Sequence, residues 1–413
     1  MVEFCTLRRV AANRARNAPG STIDPMIETA DAIIIGGGIQ GASLAFHLVE
    51  KGLHPLVLER GALASGATGR SSGLVRMHYD LEPEARLAWA SFAYFREWRE
   101  RVGGECGFTR TGFLQIYPRE AADRLRVNVE MQQRVGIPTL LVTADDVRRL
   151  APAFRTDDFD LAAYEPESGY ADPSGTTAAL LTAARDRGAR LVQGCTVTGI
   201  RVEGGRVTGV DTSGGAYAAP VVVNAAGAWA REIAALVGLD LPVSVWRHDT
   251  AYIRRPPSLR AGHPTVIDDG NAIYFRPEGR ELTLVGLEDD SAIGGEPEDV
   301  LRPADGFVER VVDRICRRVP GMADASLQST QRGQDGMTPD QRPILGAAGP
   351  GGFYLDCGFS GTGFKTAPAV GACMAELIVD GRATTVDITP FGFERFREGR
   401  LLAGALEDRP IWR

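Results

Sequence analysis

The stretch from Asp31 to Arg76, DAIIIGGGIQGASLAFHLVEKGLHPLVLERGALASGATGRSSGLVR, restricts the possible folds of this chain more than any other. Ala32 to Ile35 is a short apolar run that ends directly on glycines. Gly36, Gly38 and Gly41 stand at G-x-G-x-x-G spacing. Gly41, Leu44, Ala45 and Leu48 then recur at i, i+3, i+4 and i+7, the period of one helix face. Gly52 closes that helix, and Pro55 to Leu58 makes a second strand with Glu59 at its end. Strand, glycine turn, helix, strand and acid in this order form a dinucleotide-binding fingerprint. Gly36 permits the tight turn, Gly38 lets the backbone approach a pyrophosphate, and Gly41 lets helix and strand pack closely. The helix N-terminus offers N–H groups and a positive dipole end to phosphates. Glu59 is placed to accept hydrogen bonds from both hydroxyls of a ribose.

At 413 residues the chain has room for two domains or one two-lobed unit. A net charge of −7 argues against nucleic acid as a general partner, because a phosphate backbone demands a basic face. No apolar run approaches the roughly 18–20 residues of a membrane span, so a soluble, cytoplasmic protein is expected. The six cysteines are scattered, with no C-x-x-C pair, which fits reduced thiols better than a zinc site or a disulfide framework. No metal site is expected. Of the 46 Lys and Arg residues only Lys51 and Lys365 are lysines. Lys51 stands at the exposed end of the first helix, whereas Lys365 lies in an apolar, Gly-rich segment where a surface role is hard to argue.

The pattern predicts an α/β chain: a discontinuous Rossmann-type lobe interrupted twice by a lobe built on antiparallel sheet. A tail over 1–28 precedes the dinucleotide lobe, which takes 29–110, 165–240 and 331–382. The second lobe takes 111–164 and 241–330, and 383–413 is a C-terminal tail. Helices are expected over 81–102, 119–135, 143–150, 176–187, 304–319 and 366–380, with Thr143 and Asp146 capping the third. Residues 165–173 read as a loop, and 241–288 as a run of antiparallel strands. The hairpin NAIYFRP–ELTLVG turns at Glu278, Gly279 and Arg280.

Three further segments look able to meet the first: SGATGRSSG (Ser65 to Gly73), MTPDQRPILG (Met337 to Gly346) and CGFSGTGFKTAP (Cys357 to Pro368). Together with GYADPSG and VVVNAAGAW, in this order, they resemble the FAD-dependent amine and amino acid oxidoreductases. That group includes D-amino acid oxidase, glycine oxidase, sarcosine oxidase and dimethylglycine dehydrogenase, and the resemblance runs over roughly residues 30–395. It implies FAD as cofactor. By it, Gly36, Gly38, Ile39, Gln40 and Gly41 would hold the pyrophosphate, and Glu59 the adenosine ribose. Ser65, Thr68, Arg70, Ser71, Ser72 and Gly73 would line the path toward the flavin, and the backbone of Val197 would meet adenine. Arg60, Ala226, Gly227 and Trp229 join this cofactor-binding set. Gly358, Ser360, Gly361, Thr362, Gly363, Phe364 and Lys365 would lie along the isoalloxazine. Lys365 matches the lysine that pairs with a substrate carboxylate in sarcosine oxidase-like enzymes, and Arg76 matches its arginine partner.

Two departures from that pattern carry consequences. Covalent flavin in some relatives uses a Cys or His where this chain has Gly333 and Arg70, so noncovalent FAD is expected. The lysine that helps oxygen react in sarcosine oxidase aligns with Leu284, which has no charge. The acceptor of the electrons is therefore either O2 or a protein or quinone. The reaction implied is oxidation of the C–N bond of a small secondary amine or amino acid, of the sarcosine/N-methyl or D-amino acid type. A hydride passes to flavin N5, and the imine is hydrolysed in water. Lys365 and Arg76 are the catalytic candidates, and His78, Tyr252, Tyr274 and His248 the substrate-binding ones. Two alternatives stay open: a 2-hydroxy acid dehydrogenase using the same anchor, or a flavin-bearing subunit or assembly factor of a larger complex. A homo- or hetero-oligomer is compatible with all three.

Overall fold

The structure, a computed structural model, describes residues 28–259, 262–288, 293–299 and 301–404. The tail expected over 1–28 lies outside these residues except for Glu28, as does the end of the tail expected over 383–413.

The Asp31–Glu59 fingerprint builds the middle of a six-stranded sheet. From one edge the order is Arg190–Gln193, Pro55–Glu59, Ala32–Ile35, Val222–Asn224, Phe353–Cys357 and Ile344–Ala347. The first five strands run parallel and the last antiparallel. A parallel sheet covered on both faces needs near-continuous apolar strands, and Ala32–Ile35 is buried at every position. Helices Ile39–Glu50, Pro173–Arg185 and Gly363–Asp380 cover one face, where Leu44, Leu48, Leu180, Val370 and Met374 join one core. The other face carries a four-stranded sheet of Val197–Glu203, Arg206–Thr212, Gly215–Ala218 and the short Glu28–Thr29, packed through Val197, Val207 and Val210 onto Ile33 and Ile35.

The second lobe is an eight-stranded sheet. Its order is Ser326–Met337, Ser244–Arg254, Leu282–Leu287, Ile273–Glu278, Thr265–Asp268, Phe113–Ile116, Leu161–Glu165 and Leu140–Thr143. Helix Phe307–Arg318 lays Phe307, Val311 and Ile315, four residues apart, on one face. The expected hairpin forms, with Tyr274 opposite Gly286. The expected antiparallel run holds throughout 241–288, and its outer strand Thr265–Asp268 pairs parallel on its other side with Phe113–Ile116. Residues between Asp268 and Ile273 provide a tight turn, so that strand can fill the gap between two distant hairpins.

Several element boundaries differ from the pattern. The helix expected over 81–102 breaks at Glu97, whose φ of −118° and ψ of 34° leave the helical region, into Glu82–Arg96 and Trp98–Arg101. The helix expected over 176–187 starts earlier, at Pro173, because the Asp172 carboxylate accepts from the Ser174 N–H and proline suits the first helical turn. The helix expected over 366–380 begins at Gly363, which puts Lys365 in its first turn. The Thr143–Asp146 capping box forms as expected. Part of the 165–173 loop, Gly169–Tyr170, is a strand joining Leu74–Val75 to Thr109–Arg110. Among the described residues no helix is long and apolar enough to cross a membrane.

Candidate active site

A cavity of about 650 Å³ runs between the two lobes. One wall is the carboxyl ends of the parallel strands, marked by Ile35, Leu58, Ala225 and Cys357. The other is the eight-stranded sheet, through Ile267, Tyr274, Leu287, Trp246 and His248. Parallel α/β sheets place ligands in such a crevice, where strand ends and helix N-termini leave polar groups unused.

At one end the backbone itself forms the cradle. Gly36 has φ +117°, and a Cβ there would stand 2.4 Å from the Ala225 carbonyl oxygen. A Cβ on Gly41 would stand 2.0 Å from the Gly36 carbonyl oxygen, so helix Ile39–Glu50 can seat against the turn only with glycine there. The Thr68 hydroxyl accepts from the Ile39 N–H at 3.1 Å, tying the Ser65–Gly73 loop to the helix start. The Glu59 carboxylate accepts from the N–H groups of Gly37 and Gly61, both at 2.7 Å. The Gln40 amide donates to the Gly363 carbonyl at 2.8 Å, joining the first helix to Gly363–Asp380. Arg60 lies over the Trp229 ring, 3.9 Å from its centroid, and pairs with Asp299 at 2.6 Å.

Most residues singled out for the cofactor line this cavity: Gly36, Gly38, Ile39, Gln40, Glu59, Arg60, Ser65, Thr68, Arg70, Ser71, Ser72 and Val197. Ala226, Gly227, Trp229, Gly358, Gly361, Gly363, Phe364 and Lys365 line it too. Gly41, Gly73, Ser360 and Thr362 stand behind the wall and brace it. Thr362 donates to the Phe359 carbonyl at 2.8 Å, and Ser360 accepts from the Thr338 N–H at 3.2 Å.

The cavity wall also carries buried polar atoms without a protein partner among the described residues. Asp356 is 1% exposed, burial pushes its carboxyl up to about 7, and neither oxygen has a partner among the described residues. The Gln40 carbonyl oxygen is in the same position. A long groove with a glycine cradle, free helix-end N–H groups and such orphans fits an extended dinucleotide. Arg70 is turned into its own loop, donating to the Ser65 and Gly66 carbonyls. A side chain at Gly333 would meet the His248 ring at 2.6 Å, so neither covalent-attachment position offers a nucleophile to the cofactor.

The far end is charged and dry. Lys365 is 6% exposed and Arg76 2%. Both cations face the ring of Tyr79, Arg76 at 4.6 Å and Lys365 at 5.8 Å from its centroid. Lys365 Nζ donates to the Gly361 carbonyl at 3.2 Å, and Arg76 donates to the His78 carbonyl. Burial, and then the Arg76 guanidinium, hold the Lys365 ammonium well below its ordinary range; Glu84 and Asp335 oppose this. Glu84 is itself pushed up to about 7 by burial despite the Arg342 guanidinium 3.0 Å away. Tyr274 lies flat over Gly286, whose missing side chain leaves room for the ring.

Of the four residues singled out for substrate, Tyr274 and His248 line the cavity. The other two do not. The His78 ring is engaged by Tyr117 at 3.2 Å and Gln132 at 3.0 Å, and burial and Arg76 lower it to about 3. Tyr252 pairs with Leu284 on the same sheet face as Tyr274 but stands outside the cavity lining. Three wall residues, Glu288, Asp335 and Asp356, and Tyr79 packed against both cations escaped the sequence reading. Alternation along Leu282–Leu287 puts Leu284, Gly286 and Glu288 on one face, a legible signal; the other three belong to no motif.

Fold and cavity together define a dinucleotide-dependent oxidoreductase. Residues 31–377 match the family described as "FAD dependent oxidoreductase" (DAO). The chain belongs to that family and is an FAD-dependent enzyme. It is 30% identical to mitochondrial sarcosine dehydrogenase of Homo sapiens over 94% of this chain and 43% of that protein. It is 28% identical to glycine oxidase of Geobacillus kaustophilus over 88% of this chain and 97% of that one. L-proline dehydrogenase from P.horikoshii superposes with a TM-score of 0.85 at 28% identity, covering 91% of this chain and 100% of that one. The chain thus spans less than half the length of the sarcosine dehydrogenases it matches.

Proposed function

We propose that the enzyme oxidises the C–N bond of a small secondary amine or amino acid, of the sarcosine/N-methyl or D-amino acid type. The observation that carries this reading is the pair of buried cations, Lys365 and Arg76, set side by side on Tyr79 at the far end of the cavity. At about 4 Å and an effective dielectric of about 20, one carboxylate gains about 4 kcal/mol from Lys365, before desolvation. That is enough to fix the orientation of a small acid. FAD, when bound, supplies the acceptor for the hydride on the carbon next to nitrogen. Gly36, Gly38, Ile39 and Gln40 are proposed to hold its pyrophosphate, Glu59 its ribose, and Gly358 to Lys365 its ring. Lys365 and Arg76 hold the substrate carboxylate, and the buried walls at Ile267, Leu287 and Phe364 keep water from the reacting carbon. The imine product hydrolyses in water.

Sarcosine dehydrogenase, glycine oxidase and L-proline dehydrogenase, the named relatives, support an amine as the group oxidised. The residue in line with the oxygen-activating lysine is Leu284, buried and uncharged, which favours a protein or quinone acceptor over O2. The experiment is anaerobic mixing of the FAD-loaded protein with N-methyl amino acids, D- and L-amino acids and 2-hydroxy acids, followed by admission of O2. Bleaching of the flavin by an N-methyl or D-amino acid is expected, with slow reoxidation. Bleaching by hydroxy acids alone overturns the proposal, and no bleaching together with co-purification of a larger complex favours a subunit role.

A further inference from the structure

Two cations at one end of the cavity explain how a carboxylate is held, but leave the nitrogen of an amino acid without a partner. Glu288 ends the inward-facing row Leu284, Gly286, Glu288 and lines the cavity beside Tyr274 and Arg76. It is 5% exposed, and its Oε2 has no partner among the described residues. The other acids of the wall are committed or distant. Asp335 accepts from the N–H groups of Gly336 and Gly361, both at 2.8 Å. Glu59 holds Gly37 and Gly61, Asp299 pairs with Arg60, and Glu298 pairs with Arg247 at 2.7 Å. Asp356 stands at the end of a dinucleotide-sheet strand, and Glu232 on the helix Ala230–Ala235 of the same lobe. Arg76, Lys365 and Glu288 line the same cavity, and the Arg76 charge acts on both of the others. An amino acid carries its nitrogen two bonds from its carboxylate carbon, so a carboxylate on Lys365 and Arg76 turns that nitrogen toward Glu288.

Resting on the amine reading above, we infer that Glu288 takes the substrate nitrogen and accepts a proton from its ammonium before the C–H bond breaks. One N–H proton passes to the Glu288 carboxylate, which becomes a carboxylic acid, and the nitrogen keeps the lone pair. FAD, when bound, would take the hydride from the carbon as that lone pair forms C=N; water would then add, giving a carbonyl compound and the released amine. Such a base must hold a proton readily, and burial raises the Glu288 carboxyl well above its ordinary range. Asp269 and Asp268 raise it further, from the end of Thr265–Asp268, while Arg76 and Arg314 oppose them. Tyr274, the titratable group facing Glu288 from Ile273–Glu278, is pushed up by burial and stays protonated.

The test is anaerobic stopped-flow reduction of FAD-loaded wild type and E288Q, using the amino acid that bleaches the wild type fastest. The limiting rate of E288Q at pH 7 is expected to fall about 100-fold or more. It is expected to climb again as pH rises toward the amine's own titration, a displaced profile that a packing defect does not produce. Acetate, which has a carboxylate and no nitrogen, is expected to perturb the flavin spectrum of both proteins with the same Kd. E288A goes through the same comparison should E288Q fail to load FAD. A limiting rate within about threefold of wild type and an unmoved profile overturn the inference while leaving amine oxidation standing. Loss of acetate binding in step with the rate also overturns it, in favour of a structural role. A wild type reduced by hydroxy acids and by no amine overturns both readings.

Discussion

The two ends of the cavity are built by opposite means. The dinucleotide end is made of main chain: a glycine turn, a helix start and loops tied by Glu59 and Thr68. Its recognition depends on backbone N–H groups and on side chains that are absent. The end proposed to hold substrate is made of long side chains, Lys365, Arg76, Tyr79 and Glu288, brought from three separate stretches of chain and buried together. A backbone site tolerates no added atom, whereas a side-chain site tolerates substitution in shape but not in charge. The first sort of site is set by the fold; the second is proposed to select the substrate.

That contrast is broken most severely by Gly41→Val. Its Cβ would fall 2.0 Å from the Gly36 carbonyl oxygen, backbone against backbone, so the turn and helix cannot both keep their places. The expected outcome is protein that purifies colourless and melts early, read by flavin absorbance and a thermal scan. A variant that purifies fully yellow would falsify the close-packing argument.

Lys365→Met tests the opposite end. The variant is expected to keep its FAD and to raise KM for carboxylate substrates about 10- to 100-fold, the Coulomb gain less the desolvation it offsets. The free site lowers the Lys365 ammonium, and a bound carboxylate favours it. Binding in the wild type therefore takes up a proton. Acetate affinity should weaken as pH rises through the lowered Lys365 titration, by up to tenfold per unit, and the variant should lose that slope. Unchanged kinetics and a shared slope would remove Lys365 from the anchor.

Glu59→Ala is a milder probe of the cradle. Removing two charge-assisted acceptor contacts, partly open to solvent, should weaken FAD retention about tenfold in a dilution or apo-reconstitution titration. Equal retention would confine Glu59 to loop structure. The smallest effect is expected at the other lysine. Lys51 pairs with Asp380 at 2.6 Å on the surface, joining the helices Ile39–Glu50 and Gly363–Asp380, and Lys51→Ala should leave melting temperature and kinetics unmoved. A clear drop in either would mean that position in the fold, rather than burial, sets what a lysine contributes here.

These two lysines also show how far the sequence could be read. Their separation into one surface and one buried residue was legible, because Lys51 closes a solvent-facing helix while Lys365 sits among glycines and apolar residues. The cradle was legible as well, since strand, turn and helix are local and Gly41 answers to Gly36 five residues before it, although Gly36 itself answers to the distant Ala225. His78 and Tyr252 illustrate the limit. Both carry suitable chemistry, yet His78 is sealed between Tyr117 and Gln132, and Tyr252, on the same sheet face as Tyr274, falls outside the cavity lining. Nothing local distinguishes a residue facing a cavity from one facing a neighbouring element.

The sequence by itself therefore determined the class of cofactor and the elements that grip it, because phosphate recognition by backbone depends on short-range geometry. Tertiary structure alone decided the makeup of the substrate wall. Tyr79 became the shared face of two cations, Asp356 was left with two unpartnered oxygens, and Glu288 was drawn to Arg76 by a hairpin two hundred residues away. Charges in water are indifferent to such distant company; once buried together, each one's protonation depends on the others.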